Sequence, residues 1–330
     1  MLTLQKHPAN VRLCTLVQGK KKTPVFWHPR IDKSLMNEVE NVGSFNTEPL
    51  RDKYELSEEQ ANEIFTGLRD NVVCEHNSSK FFKCKRHVSD ALIGEMDISD
   101  TDGEFVVDFD KDPTTYSGHA LFCGGTNSGK TTAFAQQAQR CLDGPKAQRR
   151  RFLIFSAEWD SDSSLSVLKK DKYYHYVQGI DCSESSFKDS NWQTEQEFFQ
   201  NEIKKRVEYA RPGCVVFFDD IVDQVSSQYT RTLINRLFRT ARHQGLTICI
   251  VLHNLRSGAF STQAHSSIKF LHLFPKSQKG KLTNFLNRDL GLPMQRAREH
   301  IQAFGQTGRR MTVRLHAPEC LIGEKLIRLL

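Results

Sequence analysis

Eight consecutive residues, from Gly124 to Thr131, have the types and spacing that hold a polyphosphate. They read Gly-Gly-Thr-Asn-Ser-Gly-Lys-Thr; glycines let backbone N–H groups approach closely, and a following helix points its N-terminus at the phosphates. In such a loop Lys130 reaches the β- and γ-phosphates of ATP, and the Thr131 hydroxyl lies on Mg²⁺. A glycine turn with an incidental lysine is the alternative. The expected nucleotide ligands are Gly124, Gly125, Thr126, Asn127, Ser128, Gly129, Lys130, Thr131 and Thr132.

Two carboxylates that follow a second apolar run, Cys214 to Phe218, are the next candidates. A buried strand that ends in an acid can hold both a metal ion and the attacking water. Asp219 is expected to bind Mg²⁺ through water, and Asp220 to orient or deprotonate the lytic water. The same pattern also occurs where an ordinary strand meets a turn, so this interpretation depends on the phosphate loop.

A third apolar run, Thr247 to Leu252, leads directly into His253 and Asn254. Many hydrolysing P-loop proteins place a polar residue at the tip of a neighbouring strand, where it senses the γ-phosphate. His253 and Asn254 both fit that place and are expected to assist catalysis. Each could equally be a loop residue that caps the next turn.

The N-terminal part contains a separate candidate for metal binding. Cys74 and His76 form a Cys-x-His pair, and Cys84 and His87 form a Cys-x-x-His pair. Four such ligands can make a tetrahedral zinc site, but these spacings match no common zinc finger. Chance clustering is the competing interpretation.

Basic residues occur in three clusters: Lys20–Lys22, Arg149–Arg151, and Lys276 with Lys279 and Lys281. Each cluster could contact DNA phosphates, although most charge runs are solvated faces. The formal net charge of +7 and a sequence pI near 8.9 attract the molecule to polyanions. The charge therefore permits a nucleic-acid partner without requiring one.

From His119 onward, short apolar runs alternate with segments of helical pattern, which is typical of a parallel sheet covered by helices. A helix is predicted over 231–242 and ends at Gly245. We therefore predict an α/β, RecA-like P-loop NTPase fold with a mostly parallel central sheet flanked by helices, plus a smaller N-terminal region of unknown fold. The predicted strands are His119–Cys123, Phe152–Phe155, Cys214–Phe218, Thr247–Leu252, Lys269–Phe274 and Met311–Leu315.

A chain of 330 residues exceeds one average domain, so two units are expected. The turn-rich segment 108–113 suggests a boundary between an accessory region of unknown function, 1–115, and an ATPase domain, 116–330. Within the first region only a capped amphipathic helix beginning near Ser57 is predicted, with loops at 19–24 and 27–29.

Nine scattered cysteines, several of them inside apolar runs, are typical of a reduced intracellular protein. Hydrophobic residues make up 38% of the chain, which excludes a mostly disordered protein. No stretch approaches the roughly 20 apolar residues of a membrane span. The expectation is a soluble intracellular protein without a membrane span.

Taken together, these motifs resemble the FtsK/HerA superfamily of pumping ATPases. More narrowly, they resemble the DNA-packaging ATPases of poxviruses, other nucleocytoplasmic large DNA viruses and related mobile elements. The resemblance covers about residues 117–330, and it departs from the usual family pattern at Ala241 and His253, where Gly and Gln are common. It is carried by residues 124–132, 152–156 with Asp160, 217–220, 238–243, 246–253, 266–274 and 311–318.

This resemblance implies a ring of subunits that hydrolyses ATP to thread double-stranded DNA into a preformed capsid, docked on a capsid or portal-type protein. Gripping the DNA backbone carries little sequence specificity. It also implies action inside an infected host cell, in a virus factory, the cytoplasm or the nucleus, with association with the virion as a further possibility.

In rings of this kind, an arginine from the neighbouring subunit neutralises charge on the transferred phosphoryl group. Arg242 and Arg256 are the candidates by position. Alternatively, Arg242 belongs with Arg236 and Arg239 to the solvated face of a helix.

Two other functions remain open. A soluble DNA translocase or helicase that processes DNA would carry the same motifs. A non-catalytic, nucleotide-dependent assembly scaffold would need only the phosphate loop, and Asp219 and Asp220 argue against it.

Overall fold

The structure is a computed structural model that divides into two compact units. Unit 1 comprises Met1–Phe105 and Lys325–Leu330, and unit 2 comprises Val106–Glu324. The division therefore falls ten residues before the predicted boundary at 115, and the last six residues belong to the first unit. The residues described are 2–4, 6, 8, 10–27, 51, 55–60, 63, 78, 80–81, 95–98, 100–183, 197, 199–221, 228–254 and 267–330.

Unit 1 contains a four-stranded sheet in the order β1-β3-β2-β5. Its strands β2 and β3 form an antiparallel hairpin in which Gln18 lies opposite Lys21. Gly19 at the turn has a φ of 57°, a left-handed conformation that glycine adopts without steric cost. The strands of the N-terminal region are β1 (Leu2–Thr3), β2 (Val11–Gln18), β3 (Lys21–Trp27), β4 (Glu95–Asp97) and β5 (Glu104–Val106).

Two expectations for this region have different outcomes. The loop predicted at 19–24 is wrong beyond the turn, because Lys21 to Pro24 belong to β3. The helix start is confirmed: the Ser57 hydroxyl accepts a hydrogen bond from Gln60 N, and the Gln60 side chain accepts one from Ser57 N. The rest of that predicted helix lies outside the described residues.

Unit 2 is built on a sheet whose parallel strands run in the order β11-β6-β10-β9-β7-β8, with β12 and β13 added antiparallel beside β11. This arrangement confirms the predicted α/β class with a mostly parallel sheet. All six predicted strands are confirmed to within one residue at each end. The strands are β6 (His119–Cys123), β7 (Phe152–Ser156), β8 (Val177–Asp181), β9 (Val215–Asp219), β10 (Thr247–Leu252), β11 (Ile268–Leu273), β12 (Met311–Arg314) and β13 (Cys320–Gly323).

A last strand, β14 (Leu326–Leu329), pairs antiparallel with β4 within unit 1. Five α-helices are described over their full length, and no helix among the described residues is long and apolar enough to span a membrane. The predicted helix over 231–242 is confirmed as α3 with a following 3-10 turn, and Gly245 (φ 71°) ends it. The helices are α1 (Lys130–Leu142), α2 (Lys204–Glu208), α3 (Gln228–Thr240), α4 (Lys279–Arg288) and α5 (Met294–Thr307).

The central strands are buried on both faces, as helix-covered parallel strands must be. Every residue of β6, β7, β9 and β10 is buried. Phe134 of α1 stacks on Phe217 of β9 with the ring centroids 3.5 Å apart, and Phe122 of β6 meets both rings edge-on. This aromatic cluster fixes α1, and therefore the loop before it, against the sheet.

The segment just before β6 is held to unit 2 by a buried arginine. Arg150 is 1% exposed, and its guanidinium donates to the backbone carbonyls of Asp110, Asp112, Thr115 and Gly213. These bonds give the physical reason why residues 106–115 belong to unit 2 and not to the N-terminal region.

Candidate functional site

The carboxyl ends of several parallel strands in unit 2 are level with one another. Cys123 ends β6 opposite both Leu252 of β10 and Leu273 of β11. On the other side of β10, Ser156 of β7 lies opposite Asp219 of β9. The segments that follow these strands therefore meet at one edge of the sheet, which is where parallel α/β sheets bind ligands.

The predicted phosphate loop joins β6 to α1 at this edge. Gly124 N donates to Leu252 O at 3.2 Å, which ties the start of the loop to β10. A Cβ atom at Gly124 would lie 2.9 Å from the Phe274 ring, so a larger residue cannot be placed there without a shift. Gly129 has a φ of 96° and caps α1, and Asn127 adopts a left-handed φ of 60°.

Lys130 is only 5% exposed although it is charged. Its Nζ donates to Gly124 O and Gly125 O, both at 3.1 Å, and lies 3.4 Å from Nδ1 of His253. The carbonyls of the loop thus hold the ammonium group inside the curve of the loop, where it can meet an anionic ligand.

Asp219 at the end of β9 receives two hydroxyl hydrogen bonds. The Thr131 hydroxyl donates to Oδ1 at 2.8 Å, and the Ser156 hydroxyl donates to Oδ2 at 3.1 Å. Burial raises the pKa of Asp219 more than these two hydrogen bonds lower it. Together with the charge of the neighbouring Asp220, burial raises this pKa to about 7. A cation beside this carboxylate would favour its ionised form.

Asp220 follows β9 in a left-handed conformation, with φ at 52°. Its Oδ1 is buried and accepts no hydrogen bond among the described residues, while Nε2 of His253 lies 3.4 Å away. That contact is an ion pair only when the imidazole is protonated, and at this length it does not satisfy the oxygen as a hydrogen bond would. A strained backbone and an unsatisfied carboxylate at one residue are typical of a functional position.

The backbone of His253 and the side chain of Asn254 are held by α4 and the residue before it. Gln278 donates from its side-chain amide to His253 O at 3.0 Å, and Lys281 donates to the Asn254 side chain at 2.7 Å. The imidazole of His253 thus lies between Lys130 and Asp220, whereas Asn254 is turned toward α4. The structure therefore brings His253, and not Asn254, to the cleft.

These side chains line a cleft of about 490 Å³. It contains most of the predicted residues, and also five polar residues that sequence reasoning assigned to no site. Their only sequence signal was the resemblance over 152–156 with Asp160, which gave these positions no role. The cleft is lined by Thr126 to Thr132, Asp219, Asp220 and His253, together with Ser156, Glu158, Asp162, Ser163 and Ser164.

Arg242 lies at the opposite edge of the sheet. It is in the 3-10 turn before β10, close to His119 at the start of β6, whose pKa is lowered mainly by burial and further by the charge of Arg242. A six-residue strand spans about 20 Å, so Arg242 does not reach the cleft of its own chain. Arg256 and the four candidate zinc ligands (Cys74, His76, Cys84 and His87) lie outside the described residues.

The basic clusters differ from one another in the structure. Lys20, Lys21 and Lys22 are exposed around the hairpin turn of unit 1. In the run from Arg149 to Arg151, the central residue is the buried Arg150, which donates to four backbone carbonyls. This run is therefore not a uniformly exposed basic surface. Lys281 donates a hydrogen bond to the side chain of Asn254.

The order of the strands and the loop between β6 and α1 define a RecA-like P-loop NTPase fold. No protein-family model and no curated protein sequence matches the chain. One similar solved structure is the genome packaging NTPase B204 from Sulfolobus turreted icosahedral virus 2, in complex with ATP-γ-S. Its identity to this chain is 14% and the TM-score is 0.38, and the match covers 63% of this chain and 95% of that chain.

B204 from Sulfolobus turreted icosahedral virus, a DNA-packaging ATPase, gives 10% identity and a TM-score of 0.40 over 64% of this chain and 97% of that one. The pCW3 conjugation coupling protein TcpA gives 14% identity and a TM-score of 0.37 over 70% of this chain and 66% of that one. Similarity at this level does not establish a shared activity.

Proposed function

We propose that unit 2 is a Mg²⁺-dependent ATPase whose hydrolysis drives the translocation of double-stranded DNA. One observation supports the ATPase most directly. The lysine of the phosphate loop, the hydroxyl of Thr131 and two carboxylates at the end of β9 line one cleft, although they are far apart in the sequence. A glycine turn or an ordinary strand end would not require this convergence.

The residues present fit a nucleotide with Mg²⁺. Hydroxyl and carboxylate oxygens are the ligands that Mg²⁺ prefers, and Thr131 and Asp219 supply one of each at a mutual distance of 2.8 Å. The buried, unsatisfied Oδ1 of Asp220 is a further acceptor at the same place. When bound, the metal ion neutralises charge on the β- and γ-phosphate oxygens.

Each side chain then has a distinct role. The backbone N–H groups of residues 124–132 and Lys130 hold the phosphates, and Thr131 and Asp219 hold the metal. Asp220 accepts a proton from, or orients, the attacking water. His253, placed between Lys130 and Asp220, senses the γ-phosphate and holds the Asp220 carboxylate in position.

The DNA partner and the packaging role rest on the sequence resemblance and on the basic charge of the chain. We propose that the chain acts as a homo-oligomeric ring that threads double-stranded DNA into a preformed capsid through a docking protein. In such a ring Arg242, which is exposed and far from its own cleft, is available to a neighbouring subunit. Arg256 is the second candidate for this role.

ATP hydrolysis with and without double-stranded DNA tests the proposal. We expect DNA to stimulate hydrolysis, Lys130→Ala to abolish it, and the exposed control Lys146→Ala to leave it unchanged. Asp220→Asn should still bind ATP but hydrolyse it about 10²- to 10⁴-fold more slowly, since it removes the proton acceptor. Hydrolysis that is equal in Lys130→Ala contradicts the ATPase site, and hydrolysis indifferent to DNA contradicts the motor. Strand separation on a forked substrate would favour a helicase over a packaging motor.

A further inference from the structure

Unit 2 has a second cleft, of about 570 Å³, at the amino-terminal edge of its parallel strands. Its walls are the residues that precede β7, β8 and β9, together with α2 and the turn after it. Because the first cleft includes Ser156 and Asp219 at the carboxyl ends of β7 and β9, the two clefts are on opposite edges of the sheet. Nothing in the proposed ATPase reaction uses this second cleft.

The second cleft is strongly basic. Among the described residues, its lining contains Arg151, Lys205, Arg206 and Arg211 and no aspartate or glutamate. Arg206 is balanced by an ion pair with Glu202, one helical turn earlier. The other three cations are exposed, and in the described part of the chain no ion pair joins them to a carboxylate. Three uncompensated positive charges therefore face one opening.

The same cleft exposes two aromatic rings. Tyr174 is 80% exposed and Tyr209 is 83% exposed, although their chain neighbours Tyr173 and Val207 are each only 1% exposed. The buried neighbours anchor the backbone, so each exposed ring is presented from a fixed base. Each ring offers a flat apolar face on which a planar group can stack.

The walls are also tied together by backbone hydrogen bonds. Phe152 N donates to Tyr176 O at 2.7 Å, and Val215 N donates to Arg151 O at 2.9 Å. Arg149 lies over the ring of Tyr176, 5.6 Å from its centroid. Tyr209 and Tyr174, whose ring meets His175 edge-on at 5.6 Å, are the tyrosine rings that remain available to a ligand. The backbone on the sheet side of the cleft, at Arg151 and Tyr176, is thus fixed by the sheet.

We propose that this cleft binds single-stranded nucleic acid, with its phosphates on Arg151, Lys205 and Arg211 and its bases stacked on Tyr174 and Tyr209. Cations that follow a backbone, combined with aromatic platforms for bases, are how proteins bind unpaired strands without sequence preference. A duplex hides the faces of its bases, so the exposed rings favour an unpaired segment over the duplex that the motor would translocate. The site needs no bound nucleotide and does not depend on the proposed ATPase activity.

Fluorescence anisotropy with labelled thymidine and uridine oligonucleotides of about 20 nucleotides tests this site on the full chain without ATP. We expect Tyr174→Ala and Tyr209→Ala each to weaken binding about tenfold, while Tyr174→Phe and Tyr209→Phe bind like the unmodified chain because they keep the stacking face. Binding of either oligonucleotide supports the site, and the tighter one identifies its ligand.

Charge variants give an independent measurement. Arg151→Gln and Arg211→Gln should each reduce the slope of log affinity against log salt by about 0.7, the value for one phosphate of a single strand. Arg288→Gln, an exposed charge at the end of α4, is the matched control and should leave the slope unchanged.

Three results overturn the proposal: no binding of single strands, equal binding by the alanine and unmodified proteins, or tighter binding of a blunt duplex than of a single strand. The proposal is also overturned if the tyrosine variants change the oligomeric mass but bind the oligonucleotides unchanged. That result would identify this cleft as a subunit contact. Because Lys130→Ala should bind the oligonucleotides normally, failure of this site and failure of the ATPase proposal are distinguishable.

Discussion

Replacing Arg150 should destabilise unit 2 far more than replacing either of its two arginine neighbours. The guanidinium of Arg150 is buried and donates to four backbone carbonyls from two separate segments of the chain. Arg151, by contrast, is exposed, with its side chain on the rim of the second cleft. Arg150→Ala and Arg151→Ala therefore remove the same charge from adjacent positions with different structural consequences.

The magnitude follows from the four acceptors. The Gly213 bond is buried, so loss of its donor costs about 1–3 kcal/mol of desolvation. The carbonyls of Asp110, Asp112 and Thr115 belong to exposed residues that water can reach, so each contributes less, about 0.5–1 kcal/mol. Removing a buried charge returns part of its desolvation cost. We expect a net loss of about 3 kcal/mol in the free energy of unfolding for Arg150→Ala, and about 0.5 kcal/mol or less for Arg151→Ala.

Urea unfolding followed by tryptophan fluorescence and far-UV circular dichroism measures both values. Trp159 packs against Gly179 of β8 and reports on the sheet of unit 2. Arg150→Lys should recover only part of the loss, because an ammonium group cannot reach four carbonyls in the fork geometry of a guanidinium. If Arg150→Ala is no less stable than Arg151→Ala, the hydrogen bonds of Arg150 do not hold the segment before β6.

Two further predictions concern buried positions. Burial lowers the pKa of His119 to about 3 from 6.5, so the folded state loses stability as pH falls below 6.5, by about 1.4 kcal/mol per pH unit down to about 3. His119→Asn keeps an acceptor for the backbone N–H that now donates to Nδ1. In urea unfolding, the substitution should remove about 1.4 kcal/mol from the drop in the free energy of unfolding between pH 6 and pH 5. An unchanged drop contradicts the prediction. Gly213→Ala should cost at least about 2 kcal/mol, because φ is 82° and the new Cβ would lie 1.6 Å from Pro113 O. Gly280→Ala, with open space around it in α4, is the control and should be neutral or slightly stabilising in the same unfolding assay.

The central strands could be predicted because their sequences are apolar without interruption. Strands β6, β9 and β10 are buried on both faces, so nearly every residue carries the signal. The phosphate loop and Asp219 could be predicted for the same reason, because the loop follows β6 and Asp219 closes β9. The pairing of Asp220 with His253 followed from no motif, since it depends on the two strands being neighbours in space.

The elements that were missed lack this local signal. Strand β8 contains Gln178 and Gly179, and its packing depends on Trp159, a residue that is distant in sequence and covers the glycine. Strand β3 contains lysines and Pro24, which argue against a strand locally. Among the described residues, β1 pairs with Phe26 and Trp27 and no strand pairs with Pro24 on that side of β3, where the missing N–H is tolerated.

The left-handed backbones of Asn127 and Asp220 have a consequence for how this chain can change. Asn and Asp adopt this conformation more readily than other non-glycine residues, so glycine at either position should stabilise the fold by less than about 1 kcal/mol. At position 220 the same exchange would remove the carboxylate on which the proposed hydrolysis depends. A library selected for thermal resistance should therefore accumulate glycine at 220, whereas a library selected for ATP turnover should exclude it. The difference between the two selections, position by position, would locate the residues that turnover requires and stability does not.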